Sequence, residues 1–360
     1  MKKSKVLSYY SFENAIGGPR TYIRTLEESE LSNRYDFVSC YQNEAPKGIS
    51  FSLLMRMIKS IKQHNPDIVH VHGAQSEGFY GVLASHLAGC HNVLLTIHGF
   101  AHDDFSCTGI KYLLYRFFVE PVTLLFSKRI YTVCYYAAKR PIVRLYGGRR
   151  CIGHIHNPAT KHIPQHSRDE MREKLGIAHD HVVLSIVSRI TKDKGFKILE
   201  EIIRRLNIEY SSRFSLLVIG DGEYLEEFKV NLAQEISSNQ VHIAGRSEDV
   251  ASYLSASDIF VFPSLHENLS IALLEAAQAG LACVVSDVGG NGEIIRDREN
   301  GILVQSTDIQ GYVDGIIELI KNENLRRELG KAAEQSIRSN FSINDFLNKV
   351  DSVYSSLSGL

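Results

Sequence analysis

The clearest fold signal lies in residues 263–295, which read PSLHENLSIALLEAAQAGLACVVSDVGGNGEII. The segment DIFVFP, which ends at Pro263, is short and apolar and predicts a buried strand. Apolar residues at helical spacing then predict a helix over Ser270–Ala279, and ACVVSD predicts the next strand. A strand, a helix and a second strand in this order are typical of parallel sheets, so the stretch predicts an α/β fold.

The same alternation continues along the rest of the chain. In the first half, the predicted strands are Lys5–Tyr9, Tyr35–Cys40, Asp67–His72, Asn92–His98, Arg129–Cys134 and Cys151–His156. The second half opens with the apolar run HVVLSIVSRI, and the predicted strands FSLLVIG and VHIAG follow it, separated by helical patterns. Two doubly wound, mainly parallel sheets are predicted, and ligands are expected at the loops that follow the strands.

Length and composition are typical of a globular protein with two domains. The chain has 360 residues, 44% of them hydrophobic and 22% charged, which excludes the disordered, collagen-like and disulfide-scaffold classes. The six cysteines form no CxxC motif, so neither a zinc site nor a disulfide framework is predicted, and a cytoplasmic location fits. The N-terminus is a poor signal peptide, and no segment is apolar over the ~20 residues of a membrane span.

The net charge of −1 is the sum of two halves of opposite charge. Residues 1–165 have 20 Lys and Arg against 11 Asp and Glu, whereas the remainder has 20 against 30. Between residues 105 and 150, nine basic residues accompany one acid, Glu120, and aromatic residues are interleaved with them. Basic and aromatic side chains together are typical of a membrane interface, which predicts peripheral binding to an anionic membrane. The alternative, that the aromatic residues form core and the cations face solvent, stays open.

The loop before the predicted helix carries residues suited to binding and catalysis. Free backbone N–H groups at a helix start near Ser270 would attract phosphate. Glu267 and Glu275 are eight positions apart, roughly 12 Å along a helix at ~1.5 Å per residue. This exceeds the ~5 to 5.5 Å carboxyl separation of a retaining glycosidase, so the two acids are expected to bind different partners. The alternative, that both acids complement a helix start or face solvent, stays open.

The stretch closely resembles the signature of the family four retaining glycosyltransferases of the GT-B fold, in which two acids flank seven other residues. In this sequence the two acids are Glu267 and Glu275. Other segments similar to the family occur in order along the chain: IGGPRTYI, PDIVHVHG, VLLTIHGF, IVSRITKDKG, LLVIGDG and VGGNGEII. The loop after the first strand lacks GxGxxG, which argues against a dinucleotide-dependent oxidoreductase.

The resemblance implies a GT-B architecture, with two Rossmann-like doubly wound domains that face an interdomain cleft. An N-terminal acceptor-binding domain is expected over residues 1–163 and a C-terminal nucleotide-sugar-binding domain over residues 164–341. The last helix, within residues 342–360, is expected to pack back on the first domain. The polar stretch Ala159–Asp180 is the predicted linker.

The resemblance also assigns catalytic roles. Arg189 and Lys194 would hold the donor diphosphate and stabilise the charge that develops on the leaving group, so no metal or other cofactor is expected. Glu267 would contact the donor sugar, and His98 would face that sugar from the first domain. Solvated loop cations and a structural histidine are the open alternatives for these assignments.

The implied binding residues fall into a donor group and an acceptor group. Glu275 would accept the ribose hydroxyls, and Arg246 would flank the base. The donor-binding residues are Gly17, Gly18, Gly222, Arg246, Asn268, Leu269, Ser270 and Glu275. On the acceptor side, the resemblance implies His72 and Gly73.

The predicted function is retaining transfer of a hexose or N-acetylhexosamine from a nucleotide-diphosphate sugar, with UDP favoured, to a glycan acceptor. The acceptor is expected to be a polyprenyl-diphosphate-linked intermediate of bacterial surface polysaccharide, such as O-antigen, capsule or exopolysaccharide. A nucleotide-sugar 2-epimerase and a non-catalytic nucleotide-sugar binding protein are the alternatives. Nucleic acid is not an expected partner, and the predicted location is the inner face of the cell membrane.

Overall fold

A computed structural model describes residues 3–10, 18–41, 50–103, 107–160 and 163–359. The chain divides into two units, one formed by residues 1–157 and 343–360 and the other by residues 158–342. The chain leaves the first unit a few residues before the predicted boundary at 163. The reason is a backbone bond within the second unit, because Ala159 N–H donates to the Phe341 carbonyl at 3.1 Å.

The first unit contains, among its described residues, a six-stranded parallel sheet in the order β2-β1-β3-β4-β5-β6. Its strands are β1 (Ser4–Tyr10), β2 (Tyr35–Tyr41), β3 (Ile68–His72), β4 (Val93–Ile97), β5 (Arg129–Thr132) and β6 (Cys151–His154). Strands β3 and β4 are buried along their whole length. Their continuous apolar runs are typical of central strands covered on both faces.

Helices cover both faces of this sheet. They are α1 (Gly18–Glu27), α2 (Phe51–His64), α3 (Ser76–Ala88), α4 (Gly109–Leu114), α5 (Glu120–Leu125) and α6 (Tyr135–Ala138). Helix α2 shows how the local sequence specifies such a helix. Ser50 Oγ accepts from Leu53 N–H at 3.3 Å, which satisfies a free N-terminal donor, and Leu53, Met57 and Ile61 form one buried face.

The second unit has, in its described residues, another six-stranded parallel sheet, ordered β12-β11-β10-β7-β8-β9. Its strands are β7 (Val182–Val187), β8 (Phe214–Ile219), β9 (Val241–Gly245), β10 (Ile259–Phe262), β11 (Ala282–Ser286) and β12 (Ile302–Val304). Its helices are α7 (Arg168–Leu175), α8 (Phe196–Tyr210), α9 (Leu225–Asn231), α10 (Ala233–Ser237), α11 (Val250–Ala256), α12 (Ile271–Gln278), α13 (Asn291–Ile294), α14 (Ile309–Lys321) and α15 (Glu323–Asn340). The predicted class, two doubly wound parallel sheets, is confirmed.

The predicted linker Ala159–Asp180 is wrong in part, because it contains helix α7. Ser167 and Glu170 form a reciprocal cap in which the Ser167 side chain and the Glu170 side chain each bind the other residue's backbone N–H. Arg172 then donates to Asp258 Oδ2 at 2.6 Å, which fixes the helix against the sheet. The polar composition that suggested a linker therefore belongs to a capped, partly exposed helix.

Helix α16 (Ile343–Ser358) returns the chain to the first unit. Its apolar face includes Phe346, Val350 and Tyr354, which pack in one buried cluster with Tyr22 of α1 and Tyr131 of β5. The Tyr354 hydroxyl also makes a hydrogen bond of 2.8 Å with His70 Nδ1. The last helix is thus part of the core of the first unit.

Candidate functional site

The central feature of the second unit is an ion pair between loops that follow neighbouring strands. Lys194, after β7, places Nζ 2.6 Å from Oε1 of Glu267, which follows β10. The two side chains are only 16% and 11% exposed. Ser264 Oγ donates to the same Glu267 oxygen at 3.1 Å. The carboxylate is therefore held by a cation and a hydroxyl in a largely dry environment, where charge-assisted bonds are strong.

Backbone contacts fix these two loops against each other. Leu265 N–H donates to the Asp193 carbonyl at 2.8 Å, so the loop after β10 is bonded to the short 3₁₀ turn Lys192–Lys194. Arg189 lies earlier in the same loop after β7, and its side chain is 71% exposed. Its guanidinium is 4.0 Å from Asp193 Oδ2. Of the two predicted phosphate-binding cations, one is paired with Glu267 and the other faces solvent.

The loop after β11 supports Glu267 from its backbone side. Gly289 has a left-handed φ of +58°, and a Cβ at this position would lie 1.7 Å from the Glu267 carbonyl oxygen. Gly290 N–H donates to the Asn268 carbonyl at 2.8 Å. Only a residue without a side chain allows this approach. The sequence prediction assigned no role to Gly289, Gly290 or Ser264, although the Gly-Gly pair in VGGNGEII was a signal for a close backbone approach.

The predicted donor residues near α12 lie together, but their side chains make different contacts. Asn268, Leu269 and Ser270 are all buried. Ser270 is the N-cap of α12, and its Oγ accepts from Leu273 N–H at 3.2 Å, so its side chain serves the helix. Glu275 lies one helical turn further, partly buried, and burial raises its pKa to about 7.

Gly222 and Arg246 lie in the loops after β8 and β9. A Cβ on Gly222 would lie 2.4 Å from the Ile190 carbonyl oxygen, so this glycine packs directly against the loop that carries Arg189. Arg246 is exposed just after β9. Since all strands of the sheet are parallel, the loops after β7, β8, β9 and β10 lie at one edge of it. The donor residues predicted for the second unit therefore share this edge.

The first unit holds a separate group of predicted residues. His72 ends β3, and its Nδ1 lies 3.3 Å from Nε2 of His98, which follows β4. Gly73 has a φ of +89°, and its N–H donates to the Thr96 carbonyl at 2.8 Å, which closes the turn after His72. Gly18 is the first residue of α1. Gly17, also predicted, lies outside the described residues.

Aromatic rings surround these histidines. The ring of Tyr22 lies 5.4 Å from that of His72 and 5.3 Å from that of His98. His70, two residues before His72, makes a hydrogen bond of 2.7 Å with Thr96 Oγ1. Neither Tyr22 nor His70 was predicted as part of the site. The alternation HVH in β3 was the available signal, because it places His70 and His72 on one face of the strand.

Burial keeps this histidine cluster neutral. It lowers the pKa of His98 to about 4 and the pKa of His70 to about 3, where nearby His98 adds to the effect. The pKa of His72 also lies well below its usual value, because the ring is buried between His70 and His98. Among the described residues, nothing hydrogen-bonds to His72 Nε2. At neutral pH the cluster therefore offers uncharged imidazole groups.

The basic and aromatic segment of the first unit, described over residues 107–150, has some of its aromatic side chains on the surface and others in the core. Phe117, Phe118, Phe126, Tyr135 and Tyr136 are exposed, whereas Tyr131 is buried. The aromatic residues are thus neither all core nor all surface. Across the described helices, none has the length and hydropathy required to span a bilayer.

Comparison with protein families gives two matches. Residues 167–336 match the model of the glycosyl transferases group 1, and residues 23–129 match the glycosyl transferase 4-like model. Together these matches cover more than three quarters of the chain.

Relatives are found among characterised enzymes. The chain is 28% identical over 310 residues to the UDP-Gal:alpha-D-GlcNAc-diphosphoundecaprenol alpha-1,3-galactosyltransferase of Escherichia coli, covering 84% of this chain and 78% of that protein. It is 24% identical over 306 residues to the N-acetyl-alpha-D-glucosaminyl L-malate synthase of Bacillus anthracis, covering 84% and 78%.

Solved structures show the same fold. The Anabaena protein Alr3699/HepE, crystallised with UDP-glucose, superposes with a TM-score of 0.81 at 18% identity and covers 99% of this chain and 100% of its own. A glycosyltransferase from Rickettsia africae superposes with a TM-score of 0.77 at 17% identity, and 99% of both chains is covered. The predicted GT-B fold is confirmed, and the chain belongs to the family four glycosyltransferases.

Proposed function

We propose that this glycosyltransferase moves a hexose or N-acetylhexosamine from a UDP-sugar to a glycan on a polyprenyl-diphosphate lipid, with retention of the anomeric configuration. The observation that carries the proposal is the largely buried Lys194–Glu267 pair at the strand edge that also carries Arg189 and Gly222, beside helix α12 with Glu275. The printed name of the E. coli relative, a galactosyltransferase acting on a diphosphoundecaprenol acceptor, supports the substrate class. The HepE complexes with UDP and UDP-glucose support the donor class.

The first step is capture of the donor diphosphate. Arg189 is 71% exposed, and its ion pair with Asp193 is long, at 4.0 Å, so its guanidinium can turn toward a phosphate at small cost. Lys194 is held by Glu267, so a diphosphate at Lys194 takes over the role of that carboxylate as the partner of the cation. Glu267 can then accept hydroxyl groups of the donor sugar, while Ser264 keeps the carboxylate in place.

The chemical step is departure of the nucleoside diphosphate and attack by an acceptor hydroxyl on the same face of the sugar. Negative charge grows on the leaving phosphate oxygen, which helps to remove the proton of the attacking hydroxyl. Arg189 and Lys194 stabilise that charge as fixed cations, so we expect the reaction to need no metal. The bond to the leaving oxygen breaks as the new glycosidic bond forms, and the proton goes to the leaving diphosphate.

Glu275 completes the donor site as the acceptor of the ribose hydroxyls. A carboxylate can accept hydrogen bonds from both hydroxyls of a diol, but only when it is ionised. Its pKa of about 7 means that donor binding draws the carboxylate into the ionised form at neutral pH.

The first unit supplies His98 to the donor sugar and His72 and Gly73 to the acceptor side in this proposal. The neutral imidazole of His98 can exchange hydrogen bonds with sugar hydroxyls without introducing charge, and it lies 3.3 Å from His72. We also propose an anionic membrane surface as a partner of this unit, since a polyprenyl-linked acceptor resides in a bilayer.

A thermal-shift screen tests the donor class. UDP and UDP-sugars should raise the unfolding temperature, because a ligand at 100 times its Kd stabilises the folded state by about 2.7 kcal/mol. Such stabilisation corresponds to a rise of several degrees for a chain of this size. If no nucleotide or nucleotide sugar shifts the transition, the proposed donor site is wrong.

Product analysis tests the reaction. The chain is incubated with the best UDP-sugar, with and without a polyprenyl-diphosphate-linked acceptor, and NMR reports the anomeric configuration of the product. We expect transfer only with the acceptor, and the configuration of the donor sugar is retained. Conversion of the donor alone to its 2-epimer would indicate the epimerase alternative. Binding of the donor without turnover under both conditions would indicate a non-catalytic binding protein.

A further inference from the structure

Helix α4 and the π-helical turn that follows it present an apolar face to solvent. Ile110, Leu113, Leu114, Phe117 and Phe118 have the three- and four-residue spacing of one helix face, and we call them the 110–118 stripe. All five side chains are exposed, Ile110 by 86% and Phe117 by 71%. Such a face usually packs against a core, so its exposure indicates a surface that binds another molecule or a membrane.

The π-helical turn Tyr115–Val119 explains why the stripe faces outward. A π turn contains one more residue than an α turn, so it rotates the following segment relative to the preceding one. After it, Val119, Glu120 and Leu124 are buried, and α5 anchors the segment to the unit. Turns of this kind are frequent at functional sites. The stripe is therefore exposed on a segment that α5 anchors to the unit.

The apolar surface continues beyond the stripe. The ring of Phe118 lies 5.9 Å from that of Phe79 on α3, and the neighbouring Tyr80 accepts a hydrogen bond from Ser50 N–H at 2.6 Å. Phe51 follows Ser50 and is exposed. Phe79 thus extends the apolar surface of the 110–118 stripe onto α3, and the exposed Phe51 lies at the start of α2, which the buried Tyr80 contacts.

Charge around the stripe identifies the partner. Residues 107–150 contain nine basic side chains and one acid, Glu120, and that acid is buried. Within the described part of this segment, the exposed charges are therefore all positive. Lys111 and Arg116 lie within the stripe's own helix. Two copies of so basic a face would repel each other, whereas anionic lipid headgroups are attracted to it.

We propose that the 110–118 stripe inserts into the interfacial region of an anionic bilayer and docks the first unit on the membrane. This rests on the proposed function, because a lipid-linked acceptor is what gives the docking its purpose. The segment that follows the stripe also contacts the loop after β4 through Glu120, whose Oε1 accepts from Ala101 N–H at 2.5 Å. Ala101 lies three residues after His98, so the docking helix holds the loop that follows that residue.

Fluorescence provides a direct test, because the chain has no tryptophan. The Phe117→Trp variant places a single indole in the stripe, and Ile208→Trp, at a 79% exposed position of the second unit, is the matched control. With vesicles of phosphatidylcholine and phosphatidylglycerol, we expect a blue shift for Phe117→Trp and quenching by brominated acyl chains. The control should show neither change. Equal responses of the two variants, or no response of either, would overturn the proposal.

A pair of double variants tests the energetics of insertion. Ile110→Ser with Phe117→Ser should weaken binding to these vesicles at least tenfold, because it removes two large apolar side chains from the inserted face. Ile208→Ser with Val230→Ser removes equally exposed apolar side chains from the second unit and should leave vesicle binding unchanged. Vesicle binding that survives the first double variant contradicts the proposal. So does a concentration-dependent dimer that the first double variant abolishes without any vesicle binding.

Thermal stabilisation by UDP separates this proposal from the function on which it rests. We expect both double variants to keep the wild-type response to UDP, because none of the four positions belongs to the residues assigned to the donor site. If wild-type protein fails to respond to UDP but Phe117→Trp is still quenched by brominated lipid, the proposed donor is wrong and the docking surface stands.

Discussion

Lys194 and Glu267 in the second unit form a largely buried charged pair, whereas His72 and the partly buried His98 in the first unit are neutral rings. Both groups follow central strands of parallel sheets, so the architecture does not explain the difference. A buried ion pair persists only when geometry and further hydrogen bonds offset desolvation, and here Ser264 adds one such bond. Imidazole groups can instead release their protons and remain buried without a counter-ion.

The difference matches the ligands proposed for each unit. A diphosphate needs cations that remain charged in a dry site, and the carboxylate of Glu267 stabilises one such cation until the ligand arrives. Sugar hydroxyls are uncharged and need only donors and acceptors, which neutral imidazole rings provide.

We expect the largest loss of turnover when a member of the Lys194–Glu267 pair is removed. We expect Lys194→Ala to reduce kcat on the order of 10²-fold or more, because the fixed cation no longer stabilises the leaving diphosphate. Lys192→Ala is the control, since its side chain lies in the same turn but is exposed, and its turnover should stay within about twofold. The same loss for Arg189→Ala would support paired cations. Turnover near wild type in both Arg189→Ala and Lys194→Ala would exclude the assignment.

We expect the next largest loss of turnover when the packing of Gly289 against the Glu267 backbone is disturbed. In Gly289→Ala the new Cβ would meet the Glu267 carbonyl oxygen, and alanine at positive φ costs roughly 1–2 kcal/mol in addition. We expect turnover to fall at least tenfold, about 1.4 kcal/mol in the barrier, together with a lower unfolding temperature.

Gly292→Ala provides the matched control for that loop. The nearest atom to a Cβ at this position is Asp287 Oδ1 at 3.5 Å, an ordinary contact. Kinetics and thermal unfolding of the two variants should therefore differ clearly. If Gly289→Ala behaves like Gly292→Ala, the loop after β11 does not position Glu267.

The pH dependence of donor binding should arise from the second unit alone. UDP-glucose has no phosphate group that titrates near neutrality, so titration of Glu275 should control its affinity. Only the ionised carboxylate accepts the ribose hydroxyls, and its pKa is about 7. Affinity should therefore level off about one pH unit above 7 and fall by up to tenfold for each pH unit below 7.

Calorimetry of UDP-glucose binding to wild-type protein and Glu275→Gln checks this dependence. The variant should bind more weakly at pH 8 and lose the slope below pH 7. Because the pKa of His98 is about 4, the histidine cluster should add no slope between pH 5.5 and 8. An unchanged slope in Glu275→Gln would assign the titration to another group.

We expect the hydrogen bonds of the histidine cluster to contribute to the free energy of unfolding. Tyr354→Phe leaves buried His70 Nδ1 without its 2.8 Å hydrogen bond, which should lower the free energy of unfolding by about 1–3 kcal/mol. Ser356→Ala, at an exposed position of the same helix, should change it by about 0.5 kcal/mol or less. Urea denaturation compares the two variants, and equal stabilities would mean that the bond between α16 and β3 contributes nothing.

Much of the fold could be predicted from the sequence because its signals are local. Continuous apolar runs such as IVHVH and VLLTI predict central parallel strands, and β3 and β4 occupy those positions. The strand before Pro263, the polar loop and the helix that starts after Ser270 were also readable from spacing alone. Helix α7 was missed because its polar surface resembles a linker, although the reciprocal cap of Ser167 and Glu170 marked its start.

The residues of the candidate site could be predicted from the sequence, but the contacts between them could not. The sequence placed Lys194 and Glu267 in loops at strand ends and Glu275 in the helix that follows, and family resemblance gave them roles. It did not indicate that Ser264 would bind Glu267, or that Gly289 would pack against its carbonyl group. These contacts join different loops, and no periodic pattern encodes them.

Local sequence patterns specify two doubly wound sheets and the residue types at the ends of their strands, because alternation and loop chemistry act over a few neighbouring residues. Tertiary structure alone decided which groups remain charged. The ion pair of Lys194 and Glu267 joins residues 73 positions apart, and the bond of His70 with Tyr354 spans 284. Burial and distance set these charge states, and both depend on how the whole chain packs.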